Sequence, residues 1–187
     1  AWKCYNTAVR ILTGENEIKL RADALGPSPS TQPEGLLAKV IEVQGLEELK
    51  ALKQENIEGN IVFFNRPVDL RKVNTFRVYG GGVDQRYRGP AVAAELGAAG
   101  VLVRSVGTAI DTFPHTGSTG FKDKKIPCAA ISTIDADILS ESLSGEKDLK
   151  VKLVIDAEDF EEITTYNLIA DLRGSEFPDE FIVVGGH

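Results

Sequence analysis

Between Gly59 and Arg104 the chain spells strand, helix, strand, and that order limits the folds open to it. Ile61-Val62-Phe63-Phe64 is a continuous apolar run of strand length, the pattern of a strand buried on both faces. Gly89-Pro90 opens an alanine-rich helix expected to run to Ala99. Proline at a first helical position forfeits no hydrogen bond, because that N–H has no intrahelical partner. Gly100 is placed to end the helix in the left-handed conformation, and Val101-Leu102-Val103-Arg104 follows at once as a second strand. Such an order favours parallel pairing of the two strands.

The flanking segments extend the pattern. Residues 17–22 alternate polar and apolar, as a half-buried strand does. Pro27, Pro29 and Pro33 exclude helix and central strand from residues 26–33, which read as a linker or exposed loop and mark a domain boundary. Leu36 to Val43 is β-branched and apolar, hence a strand, and Leu46, Leu49 and Leu52 share one face of a short helix. Gly80-Gly81-Gly82 marks a flexible turn, and residues 115–120 a loop. Residues 126–131 form a strand whose proline sits near its start, where a missing donor matters least. Ser132 precedes Asp135 by three residues, a capping-box variant, and Ile134, Ile138 and Leu139 give the following helix a buried face before Gly145. Residues 150–155 alternate as a strand. The acidic run 156–162 reads as a solvated turn rather than a calcium loop, since it lacks the glycine and ligand spacing of an EF-hand. Residues 167–172 and 181–184 are strand candidates separated by a turn at 174–179.

Composition excludes some functions. With 187 residues, 42% of them hydrophobic, the chain can bury one sizeable core, alone or with flanking pieces. Its 28 acidic residues outnumber 21 basic ones, and a net charge of -7 repels phosphate backbones, so nucleic acid is disfavoured as a partner. No run approaches the roughly 18 apolar residues of a membrane span. The absence of methionine marks a processed or trimmed chain. Cys4 and Cys128 form no metal-binding spacing; they are two unpaired core thiols or, in an oxidising compartment, a long-range disulfide.

Few residues offer chemistry. Phe181-Ile182-Val183-Val184 runs into Gly185-Gly186-His187, and functional side chains collect at the carboxyl ends of strands in open α/β sheets. Imidazole is a common zinc ligand, yet one histidine cannot hold a catalytic zinc, which needs about three protein ligands and a water. Taken alone, His187 is either an exposed final residue or one ligand of a set completed elsewhere. His115, in a loop, is a candidate for peptide contact or an ordinary loop histidine. The glycine triplet lacks the lysine and Ser/Thr of a phosphate loop, and no G-x-S-x-G elbow is present. A small α/β enzyme of other chemistry would need a converging nucleophile, base and oxyanion donors, which the sequence does not provide.

Residues 59–64, then Ala91 to Val103 with its Gly97-Ala98-Ala99-Gly100, then Lys125-Ile126-Pro127-Cys128-Ala129-Ala130-Ile131-Ser132, together resemble the protease-associated (PA) domain. The resemblance spans roughly residues 35–160. Tyr166 to Ala170, the turn at Gly174-Ser175 and Phe181 to His187 look like the start of a catalytic domain of the zinc exopeptidases similar to carboxypeptidase Q and bacterial aminopeptidases. The resemblance implies an α+β fold: a PA-type, β-barrel-like or β-β-α layered domain with two or three flanking helices, plus short strands from the edges of an α/β peptidase domain. It implies a division into residues 1–34 (peptidase edge and linker), 35–162 (PA domain) and 163–187 (first peptidase strands). His187 would be the first ligand of a two-zinc centre in the parent enzyme, with zinc absent from this fragment, a peptide as the parent's substrate, and a secreted, periplasmic or extracellular location. The fragment would shape substrate access without catalysing. A free-standing PA-type interaction module is the alternative.

Overall fold

The computed structural model describes residues 1–14, 16–146 and 149–186. Among them, eight strands form one mixed sheet flanked by six helices. In chain order the strands are β1 (Trp2–Thr13), β2 (Asn16–Leu20), β3 (Ala22–Ala24), β4 (Leu36–Val43), β5 (Ile61–Phe64), β6 (Gly100–Arg104), β7 (Cys128–Ile131) and β8 (Lys150–Asp159). Across the sheet the order is β2-β1-β8-β4-β5-β6-β7-β3. The helices are α1 (Leu46–Ala51), α2 (Gln54–Ile57), α3 (Thr75–Gly80), α4 (Val83–Tyr87), α5 (Gly89–Glu95) and α6 (Thr133–Gly145).

The two edge strands of this sheet, β2 and β3, are separated in sequence by Arg21 alone. Eight strands laid flat would hold their edges roughly 34 Å apart. One residue cannot span that distance, so the sheet rolls up until its edges meet. Ala24 N donates to Thr7 Oγ1 (3.1 Å) where β3 comes up against β1.

β4 to β7 pair in parallel, as the strand–helix–strand order demands, and β8 joins them to β1 through antiparallel pairing on both sides. Alternation along β5 sends Ile61 and Phe63 into the interior of the curl, with Leu102, Ile131, Val151 and Leu153. Val62 and Phe64 face the outer layer, with Leu49, Ile57, Ala93 and Ala98. All four β5 residues are fully buried, which is why that segment carries no polar residue. α6 packs on the inner cluster and is capped as expected: Asp135 N donates to Ser132 Oγ (3.0 Å).

Five differences have physical causes. Helix α5 stops at Glu95, and the left-handed residue is Gly97 (φ 88°), not Gly100. Ala98 N donates to Ala93 O and Gly97 N to Ala94 O, the paired bonds of a Schellman ending, which frees Gly100 to open β6. Residues 75–87 are helical (α3, α4), so six helices replace the two or three expected. β8 continues to Asp159 through most of the acidic run, because β1 offers it a partner as far as Trp2. Residues 160–186 carry neither helix nor strand, including 167–172 and 181–184. A strand needs a partner, and Leu168 (98% exposed) and Ile182 (95%) have none among the described residues. Finally, residues 1–34 contribute three strands to the same sheet as residues 35–162.

Candidate functional site

The proline-rich stretch is packed, and its hydroxyls explain how. β4 covers β8 only as far as Leu36, opposite Leu153. Beyond that point Ile155 and Ala157 would have an open edge. Proline cannot donate to a ladder, so serine and threonine side chains stand in. Ile155 N donates to Thr31 Oγ1 (3.2 Å) and Thr31 N to Ile155 O (2.9 Å). Ala157 N donates to Ser30 Oγ (2.8 Å), which donates back to Ala157 O (2.6 Å). Ser28 is buried; it receives Cys128 N on its hydroxyl and Trp2 Nε1 on its carbonyl.

Phe160 N donates to Ala1 O (2.6 Å) and Ala1 N to Phe160 O (2.9 Å), so the first strand and the last meet at one point. Beside that junction lies an open groove of about 610 Å³. Its floor and walls come from Trp2 to Thr7 of β1, Asp23 and Ala24 of β3, Gly26, and the loop at Thr116–Gly117–Ser118. β2 pairs with β1 only from Val9 onward, so among the described residues no strand forms a ladder with that side of Trp2–Thr7, although β3 packs against Thr7. The loop is anchored by Thr116 Oγ1 donating to Ala24 O (2.5 Å) and Gly26 N donating to Gly117 O (2.9 Å). Lys3 lies over the Tyr5 ring at 4.7 Å, and Asp23 sits across the groove, its carboxyl raised above the usual range by burial. A strand flank with an indole, a lysine and a carboxylate around it suits an extended polypeptide, held by main-chain hydrogen bonds.

His115 lies elsewhere. Its Nε2 is 3.1 Å from Asp111 Oδ2, and its N–H donates to Ser105 Oγ (2.8 Å). Ser105 Oγ in turn donates to Ile131 O, and Asp111 N donates to Thr133 Oγ1. These bonds pin the loop after β6 against the start of α6; His115 does not line the groove. His187 lies outside the described residues. Cys4 lines the groove and Cys128 sits in the outer core; both are free thiols. Burial pushes the Cys128 thiol up to about 12, against a lowering contribution from its Ser28 hydrogen bond. Among the described residues, no three His, Cys, Asp or Glu side chains are gathered as a metal would require. Sequence reasoning missed the groove, because its walls come from three stretches far apart in the chain and none carries a motif.

No family model matches the chain. Bovine carboxypeptidase Q is 32% identical over 171 residues, which are 90% of this chain and 34% of that protein. The crystal structure of a peptidase M28 precursor from Shewanella amazonensis superposes with a TM-score of 0.78 at 30% identity, covering 84% of this chain and 36% of that one. A zinc aminopeptidase from Bacillus subtilis shares the fold at 18% identity and a TM-score of 0.53, over 83% of this chain and 32% of that one. The chain spans about a third of the length of each. It is homologous to one third of carboxypeptidase Q and similar in fold to part of a peptidase M28 precursor.

Proposed function

We propose that this chain is the protease-associated insert of a secreted dizinc aminopeptidase or carboxypeptidase, and that it governs access to the active site without catalysing. The observation that carries this reading is the pairing of Ala1 with Phe160. A domain inserted into another must be entered and left at neighbouring points, and closely spaced ends make such insertion tolerable. Residues 163–187 would then lead into the catalytic domain. Their apolar side chains, exposed in this chain, would be buried against strands of that domain. His187 would be the first zinc ligand there. The described residues do not fit a zinc site by themselves, and no catalytic step is assigned to them.

The groove beside the junction supports the gating role, because it lies where the insert and its host would meet and suits an extended polypeptide. The same groove would serve a free-standing interaction module, the second reading. The two are separated by extending the chain past His187 in its own coding sequence and assaying peptide hydrolysis with zinc. Turnover by the extended protein and none by this chain supports the insert. A stop codon or a membrane span soon after His187 supports the module.

A further inference from the structure

The segment that joins β5 to α5 differs in charge from the rest of the chain. Residues 66–88 hold six of the chain's 21 basic residues and two of its 28 acidic ones, leaving 15 basic against 26 acidic elsewhere. Arg66 pairs with Asp84 and Arg71 with Asp69, while Arg86 stacks over Tyr79. Arg77 and Arg88 form no salt bridge among the described residues, and Lys72 acts on Asp69, whose carboxylate Arg71 already holds. Large apolar side chains project from the same segment: Leu70, Val73 (99% exposed) and Phe76 (85%). Ile110 and Phe113, on the loop after β6, are also exposed. Leu70 and Ile110 line one shallow cleft, so the two loops form a single surface.

That surface faces away from the Ala1–Phe160 junction. β8 runs antiparallel to β4, so its carboxyl end lies beyond the amino end of β4; the loops after the parallel strands β5 and β6 leave from the opposite end.

We propose that this end of the barrel docks on an anionic lipid bilayer. Cations beside protruding apolar side chains complement an anionic headgroup layer over an apolar interior. A protein partner would have to offer pockets shaped to Val73 and Phe76; a bilayer accepts any projecting apolar group. The acidic remainder of the chain is repelled by the same membrane, which leaves this end as the one that approaches. The proposal stands whether or not the peptidase reading holds.

The test is co-sedimentation of the whole chain with vesicles of phosphatidylcholine alone or with a quarter phosphatidylserine. The chain pellets with the anionic vesicles only, and less in high salt. Val73→Asp with Phe76→Asp, and separately Lys72→Glu with Arg77→Glu, cut binding about tenfold or more. All four residues are on the surface, so far-UV circular dichroism stays native. Leu168→Asp with Ile182→Asp, in the exposed stretch 160–186, leaves binding unchanged. Four results would overturn the proposal. One is the absence of anionic-vesicle binding, and another is loss of binding only in the 168/182 variant. The third is vesicle-free self-association abolished by the 73/76 variant, which makes the face a contact between copies. The last is capture of an acidic peptide without vesicle binding.

Discussion

Arg21, the single residue between the two edge strands of the sheet, holds the buried carboxylate of Asp135 at the start of α6. Arg21 Nη2 donates to Asp135 Oδ1 (2.7 Å), while Nε (2.8 Å) and the Arg21 backbone N–H (2.9 Å) both donate to Oδ2. Ser132 Oγ donates to Oδ2 as well (2.6 Å). The side chain of Asp135 is 1% exposed and that of Arg21 47%. The pair therefore fastens the closing point of the barrel to the helix that covers its interior.

Asp135→Ala removes the partner of two side-chain donors, one backbone N–H and one hydroxyl. The cost is about 2–3 kcal/mol, below that of a fully buried pair because Arg21 regains water. Urea unfolding at neutral pH checks it; a change under about 0.5 kcal/mol would contradict the role.

The same pair sets an acid limit. Burial alone would raise the Asp135 carboxyl, but the Arg21 and Ser132 hydrogen bonds outweigh it and hold it below the usual carboxylate range. Its folded value is depressed. The stability it adds is therefore fully present above the unfolded carboxylate value, near pH 4, and is lost as pH falls through the lower folded value. Acid titration of wild type should be steeper below about pH 4 than that of Asp135→Asn.

Ser30→Ala combined with Thr31→Val strips the hydroxyls that stand in for a strand beside Ile155 and Ala157. Global stability falls by about 1–2 kcal/mol, since water replaces part of what is lost. Hydrogen exchange accelerates first at the amides of Ile155 and Ala157; uniform acceleration across the sheet would contradict a local role.

Gly89→Ala tests the outer layer. A Cβ at that position would meet the Phe64 ring at 2.7 Å, with Phe64 itself fully buried. Overpacking of this kind costs about 1–3 kcal/mol. Thermal unfolding at an unchanged midpoint would show that the ring can move aside.

Thiol labelling separates the two cysteines. Cys4 lines an open groove and reacts in the native protein at pH 8, whereas Cys128, held protonated by burial, reacts only on unfolding. Two thiols labelled at equal rates in native buffer would contradict the packing around Cys128.

Much of the sheet was legible in the sequence for a plain reason. β4 to β7 are buried on one or both faces, and burial writes itself as β-branched and apolar runs such as Ile61 to Phe64. The start of α6 was legible because Ser132 caps it through a local bond. β1 was not, because its main partner, β8, lies more than 130 residues away and its polar residues obscure the alternation. α3 and α4 were obscured by Gly80, Gly81 and Gly82, which a helix interior disfavours but the junction between two short helices accepts. Ser30 and Thr31 beside three prolines look like linker composition; only the end of β4 at Leu36 reveals the edge they satisfy.

The most direct measurement is zinc stoichiometry by atomic emission after exhaustive dialysis, on this chain and on the protein extended beyond His187. A severed accessory domain predicts well below one tightly held zinc in the chain and about two in the extended protein. One or more stoichiometric zinc ions retained by the chain itself would contradict it.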